Sequence, residues 1–199
     1  CILYKHAAIN PNDKFEVYNN TFNNCNLIGS GSQNTHFHHN IVTNSNPFKS
    51  DDFGGITHQT NQLIEYNTFY KASGLLFDPI TRWRTTQFPN DPSGVVFRNN
   101  IVYGGPSKID IDKYMDDILF NIAKAAFSSS QNCYYATGSG VTPTFSIGSN
   151  NGGTAGTLGG TYSLAQWQAQ YGYDTGSVVA DQLFVNAAGG DFNTQSGSL

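Results

Sequence analysis

The sequence predicts an all-β chain wound as a right-handed parallel β-helix, a three-sheet solenoid with short helical and loop decorations toward its C-terminal end. Two observations carry the prediction. A six-residue phrase centred on asparagine recurs at coil-like intervals, and the composition is that of a β protein with many turns.

The phrase occurs as Val17-Tyr18-Asn19-Asn20-Thr21-Phe22, Phe37-His38-His39-Asn40-Ile41-Val42, Ile64-Glu65-Tyr66-Asn67-Thr68-Phe69 and Phe97-Arg98-Asn99-Asn100-Ile101-Val102. A weaker fifth copy is Asn132-Cys133-Tyr134, and the central asparagines lie about 20, 27, 33 and 32 residues apart. Such spacing suits solenoid repeats carrying insertions. Each copy reads as strand, tight turn and strand: the apolar positions point inward, and Asn at the corner adopts the left-handed backbone conformation more cheaply than a β-branched residue. Stacked coils would bring Asn20, Asn40, Asn67 and Asn100 into register as an amide ladder, which is a structural device. A second phrase, in Asn26-Leu27-Ile28, Gly55-Ile56-Thr57-His58 and Gly74-Leu75-Leu76-Phe77-Asp78, supplies a third strand per coil.

Charged residues make up only 12% and Gly numbers 21, so the chain is unlike a helical bundle. A net charge of -4 with no Lys/Arg cluster argues against nucleic acid as a partner. No apolar run reaches the roughly 20 residues of a membrane span. The expectation is one β-helix domain over residues 1–199, with coils to about 135 and a loop, short helix and capping tail over 136–199. Cys1, Cys25 and Cys133 have no zinc-like spacing, and a disulfide is open. The start at Cys1 reads as an arbitrary start inside a larger protein, of which this would be the C-terminal part.

Past the fourth copy, Met115, Ile118, Leu119, Ile122 and Ala126 have helical spacing, so 114–127 reads as a helix. Residues 137–161, rich in Gly, Ser and Thr, read as a long exposed loop or hairpin. Ser163 to Tyr171 reads as a short helix with Ser163 as N-cap and Gly172 as terminator, covering an open coil end.

The Asn-centred strand pairs, the Gly-Ile and Gly-Leu strands and the tail Ser177 to Asn186 with Gly190-Asp191-Phe192 together resemble the pectate-lyase-like superfamily of right-handed parallel β-helix proteins. The resemblance covers roughly residues 15 to 135 as coils, and the tail is similar to the closing segment of secreted carbohydrate-active members. It implies a secreted or cell-surface protein acting on a polysaccharide or oligosaccharide through loops that wall a groove beside one sheet; a monomer is the expectation, with an oligomer left open.

Two insertions are the candidates for those loops. The stretch between Asn40 and Gly55 is about eight residues longer than its neighbours, and that between Leu75 and Phe97 about a dozen longer. The first contains Lys49, Asp51 and Asp52. Its paired carboxylates could act as general acid and base or hold a hard cation such as calcium, the one cofactor considered; a solvated turn is the competing reading. Paired aspartates also occur in the polygalacturonase branch, but the further acidic, Gly-His-Gly and Arg-x-Lys motifs of that branch are missing in matching order. The second insertion holds Asp78, Arg82, Trp83 and Arg84, a pairing of carboxylate-binding forks with a flat face for a sugar ring; Arg salt-bridged to Asp78 or Asp91 with Trp83 pinning the loop explains it equally. The resemblance implies that an Arg or Lys removes the proton alpha to a uronate carboxylate, which makes Arg82, Arg84, Lys49 and Lys71 candidates. His58 closes a strand between the insertions and is a further catalytic candidate.

His36, His38 and His39 look metal-like, but alternation puts Phe37 inward and His36 and His38 outward. Tyr18, His38, Glu65 and Arg98 then stack in one exposed column at about 4.8 Å per coil. A Glu65–Arg98 ion pair with His38 beside Glu65 is the simplest account. The leading expectation is a polysaccharide lyase or glycoside hydrolase for an acidic glycan. Against it stand a non-catalytic glycan-binding, adhesin or structural module, and a phage or virion fibre, which would be a stable trimer.

Overall fold

A computed structural model describes residues 2–5, 14–25, 27–30, 34–45, 61–71, 75–77, 94–104, 107–111, 127–137, 141–147 and 160–198. Among them the chain is mostly β, with one α-helix. Strands are numbered in chain order. Five form a parallel sheet in the order β2 (Phe15–Tyr18), β5 (Thr35–His38), β7 (Gln62–Glu65), β10 (Val95–Arg98) and β13 (Phe127–Ser130). The strand that follows each of these joins a second parallel sheet: β3 (Thr21–Asn23), β6 (Ile41–Thr43), β8 (Thr68–Tyr70), β11 (Ile101–Tyr103) and β14 (Cys133–Tyr135), with β17 (Val178–Val179) at its edge. A third sheet runs β9 (Leu75–Phe77), β12 (Ser107–Ile111), β15 (Thr144–Ile147), all parallel, and ends on β16 (Gly160–Tyr162) paired antiparallel to β15. β1 (Ile2–Lys5) pairs in parallel with β4 (Leu27–Ser30).

Parallel neighbours so far apart in sequence leave no room for hairpins, so every pair is joined by a passage through the other sheets. The register places like residues in columns. Val17, Phe37, Ile64 and Phe97 align across the five-stranded sheet, and Phe22, Val42, Phe69, Val102 and Tyr134 across the six-stranded one. All nine are buried and belong to one core cluster. At about 1.5–3 kcal/mol for each large apolar side chain taken from water, these columns are a main source of stability.

The asparagine ladder forms along the corner between these two sheets. Nδ2 of Asn20 donates to Oδ1 of Asn40 (3.2 Å), Asn40 to Asn67 (3.1 Å), Asn67 to Asn100 (3.0 Å) and Asn100 to Asn132 (3.2 Å). Each acceptor oxygen also takes the backbone N–H of the preceding rung, at 2.9–3.0 Å. The left-handed residue differs from expectation. It is the one before each ladder asparagine: Asn19, His39, Tyr66, Asn99 and Gln131, with φ between 53° and 56°. The turn there lets the following Asn point inward and return an N–H to the carbonyl two residues back, as Asn67 does to Glu65 O at 2.9 Å. That network offsets the roughly 1–2 kcal/mol cost of left-handed backbone at a non-glycine residue.

The C-terminal part closes the ladder. Helix α1 (Leu164–Tyr171) is capped as expected: Ser163 Oγ accepts from Gln166 N, Gln166 Oε1 accepts from Ser163 N, and Gly172 ends the helix at φ 70°. Its Trp167 is fully buried and donates through Nε1 to Asp174 Oδ2 at 2.9 Å. Asp174, itself fully buried, also takes Ser129 Oγ on Oδ2 and Asn132 Nδ2, Tyr134 OH and Ser177 Oγ on Oδ1, all within 2.8–2.9 Å. The carboxylate thus terminates the amide ladder with five donors. The antiparallel pair β18 (Phe184–Asn186) and β19 (Asp191–Thr194) follows, joined by a 3-10 turn at Ala187–Gly189.

Two expectations for this region change. Phe127, placed at the end of a helix by its spacing, opens strand β13, and residues 112–126 lie outside the described ones. Within 137–161, expected as an exposed loop or hairpin, β15 and β16 pair antiparallel as hairpin arms do, but the segment is not all exposed: Phe145 is a fully buried strand residue stacked on Trp167 at 5.6 Å. The polar composition concealed a core position, because the apolar partner is supplied by α1 and not by the segment itself. No helix among the described residues is long and apolar enough to cross a membrane.

Candidate functional site

The six-stranded sheet is partly covered on its outer side: Phe192 packs on Tyr70 at 5.4 Å and Phe184 on Tyr103 at 5.2 Å, both from the C-terminal tail. Burial, followed by the charge of Asp181, pushes the Tyr103 hydroxyl up to about 12. The five-stranded sheet presents a different surface. Because side chains alternate along a strand, Glu16, His36, Leu63 and Val96 share one outward column, and Tyr18, His38, Glu65 and Arg98 the next.

These two columns interlock. Arg98 Nε donates to Glu65 Oε2 at 2.7 Å, and Glu65 Oε1 lies 3.0 Å from His36 Nε2. The histidine beside Glu65 is therefore His36, on the diagonal, and not His38, its direct cross-strand neighbour. His38 instead lies 2.8 Å from His39, Nδ1 to Nδ1, and stacks on Tyr18 at 5.1 Å. His38 is engaged elsewhere: its ring stacks within 5° of parallel on Tyr18 and its Nδ1 faces His39. Glu65 is 7% exposed. Burial alone would raise its pKa, but the hydrogen bond and charge of Arg98, followed by those of His36, outweigh burial and hold the carboxyl below its ordinary value. Burial first, then the nearby His36 and His39, lowers the pKa of His38.

Beside this cluster is a cavity of about 240 Å³ lined by Lys14, Glu16, Asn34, Thr35, His36, Asn61 and Leu63. Asn34 and Asn61 sit at left-handed corners, with φ 52° and 53°, and the Asn61 amide donates to the Asn34 side-chain oxygen. On the other flank the rings of Tyr18, His38, His39 and Tyr66 form a run, with centroids 5.1, 5.1 and 5.2 Å apart. Tyr18 and Tyr66, the two ends, are 51% and 52% exposed.

Of the residues singled out from sequence, Lys71 is described. It occupies a left-handed corner after β8, with φ 51°, its backbone N–H donating to Tyr103 O and its ammonium 5.3 Å from the centre of the Tyr70 ring. It is not brought together with the His36 cluster. Lys49, Asp51, Asp52, His58, Asp78, Arg82, Trp83 and Arg84 lie outside the described residues. Sequence reasoning missed Glu16, Lys14 and the Asn34–Asn61 pair. The signal was present: the register that aligns Tyr18 with His38 also sets Glu16 opposite His36. Of the cysteines, Cys25 is disulfide-bonded and Cys133 is a free thiol.

No family model matches the chain, and comparisons with curated proteins and with solved structures find no match.

Proposed function

We propose that this protein is a right-handed parallel β-helix that binds and acts on an acidic polysaccharide outside the cell, using the outer face of the five-stranded sheet. The solenoid reading is supported by the order in which the passages β7-β8-β9, β10-β11-β12 and β13-β14-β15 each add one strand to each of three sheets. The observation that carries the functional reading is the cavity between Lys14, Glu16, His36 and the Asn34–Asn61 pair, placed beside the exposed Tyr18–His38–His39–Tyr66 run. An ammonium for a uronate carboxylate, amides for hydroxyls and flat rings for a sugar face are what such a ligand requires. At about 240 Å³ the cavity is smaller than the roughly 300–1,000 Å³ typical of drug-sized ligands, which suits one sugar unit of a longer chain.

Connectivity supports the same face. The first insertion leads into β7 at Asn61, a cavity residue, and the second into β10, the next strand of the sheet. We assign cleavage, by β-elimination or hydrolysis, to groups those insertions carry: Asp51, Asp52, Arg82 and Arg84, with His58, Lys49, Asp78 and Trp83 as further contacts. The disulfide at Cys25 fits an oxidising, extracellular setting.

A second reading, a non-catalytic glycan-binding module, is favoured by one observation. Glu65 is committed to Arg98 and His36, so the described face presents Glu16 as its open carboxylate, where hydrolysis by paired carboxylates needs two. Incubation with a panel of uronate polymers, read by unsaturated-uronate absorbance and by reducing ends, separates the two. Product supports the enzyme; retention on an immobilised polymer without product supports the module; neither product nor retention on any acidic polymer rejects both.

A further inference from the structure

We propose that Glu16, His36 and His38 form a binding site for a zinc-type divalent transition ion on the outer face of the five-stranded sheet. Each of the three offers a ligand atom, and those atoms all lie within 4.8 Å of one another. Two imidazoles and a carboxylate are the donor set of open zinc sites, which leave the fourth position to water or a ligand. Imidazole nitrogen favours zinc, copper or nickel over calcium, so this site is chemically distinct from an all-oxygen calcium site.

The surroundings are those of a metal site rather than of loose surface histidines. His36 Nε2 is 3.0 Å from Glu65 Oε1, and Glu65 is in turn fixed by Arg98 at 2.7 Å. This carboxylate behind the imidazole orients the ring, sets its tautomer and leaves Nδ1 toward Glu16, whose Oε1 is 4.0 Å away. The rings of His36 and His38 stand 4.0 Å apart between centroids. His38 meets His39 through Nδ1, and in the tautomer where Nδ1 donates its Nε2 is the nitrogen open to an ion. A tetrahedral zinc with bonds of about 2.0–2.1 Å needs ligand atoms about 3.3 Å apart. The cluster must therefore contract, and Glu16, whose side chain is 52% exposed and whose Oε1 stands 4.0 Å from His36 Nδ1, is the most exposed of the three groups and the freest to close on an ion.

The site does not depend on the polysaccharide reading, although Glu16 and His36 also line the cavity and a bound ion would stand at its rim. The test is calorimetric titration of Zn²⁺ into the full chain after chelator treatment, with Co²⁺ absorption reporting coordination. Expected are one ion per chain, four-coordinate ligand-field bands for Co²⁺, and affinity weakened about tenfold or more in Glu16→Gln and in His38→Asn. Glu16 is exposed, so its variant should retain the wild-type unfolding transition and serve as the folded control. The proposal is overturned if the wild-type chain takes up no Zn²⁺, or if Glu16→Gln, folded as wild type, binds Zn²⁺ as tightly as wild type does.

Discussion

The asparagine ladder makes position-dependent demands that a single substitution can expose. In Asn67→Ala the backbone N–H of Asn40 loses its acceptor at 2.9 Å, and the carbonyls of Phe37 and Glu65 lose donors at 2.9 Å each. All of this happens where Asn40 and Asn67 are 1% and 2% exposed, so water cannot readily substitute. Two or three buried polar groups left unsatisfied at about 1–3 kcal/mol each amount to about 3–6 kcal/mol. That is a large share of the roughly 5–15 kcal/mol that stabilises a typical domain. Asn20→Ala removes only two donated bonds, to Tyr18 O and Asn40 Oδ1, from an exposed rung where water replaces most of them, so the loss is about 1 kcal/mol. With a urea slope of about 2 kcal/mol per M, the midpoint falls by about 2 M for Asn67→Ala and about 0.5 M for Asn20→Ala, at unchanged slope. Equal midpoint shifts for the two variants would refute the ladder as a set of buried, mutually dependent bonds.

Three further outcomes are expected. Asp174→Asn puts an amide NH₂ where either Ser129 and Trp167 or Asn132, Tyr134 and Ser177 donate, leaving at least two donors without acceptors; the loss of about 2–5 kcal/mol should be visible in the urea transition followed by Trp fluorescence. Because the folded-state pKa of Glu65 is depressed, its contribution is present above the ordinary carboxylate value and disappears as pH falls through the folded one; Arg98→Ala should flatten stability against pH in that acidic range, and an unchanged profile counts against the pairing. Ser163→Ala removes the hydroxyl that accepts from Gln166 N while the Ser163 backbone N–H keeps Gln166 Oε1, and this loss of one arm of the capping box should cost about 1 kcal/mol, measured by thermal melting.

The parts of the fold legible in sequence were those where one residue type had one job. Buried Asn with a fixed set of partners and Phe, Val or Ile facing a common core repeat because every passage of chain meets the same constraint, so their spacing betrays the sheets. The closing elements were legible only where local chemistry sufficed: Ser163 and Gly172 mark α1, but nothing near Phe145 announces that Trp167 will cover it. Asp174 was illegible for the same reason, since its five donors come from residues 129, 132, 134, 167 and 177. At the candidate site, the register correctly stacked Tyr18, His38, Glu65 and Arg98, yet the choice of His36 over His38 as partner of Glu65 depends on how the rings tilt, which a column of residue types does not contain.

The geometry of the outer cluster follows from the same register that builds the core. Val17, Phe37 and Ile64 face inward at every second position, so burial of that column holds Glu16, His36 and Leu63 on one side and Tyr18, His38 and Glu65 on the other at strand spacing. Substitutions outward of that core change the chemistry of the face while the ladder and the apolar columns keep the strands in place. A slip of one residue would bury the histidines and expose Phe37, which the apolar core forbids. The scaffold therefore preorganises Glu16, His36 and His38 within reach of one another, with the exposed Glu16 side chain the freest of the three to close on a bound ion.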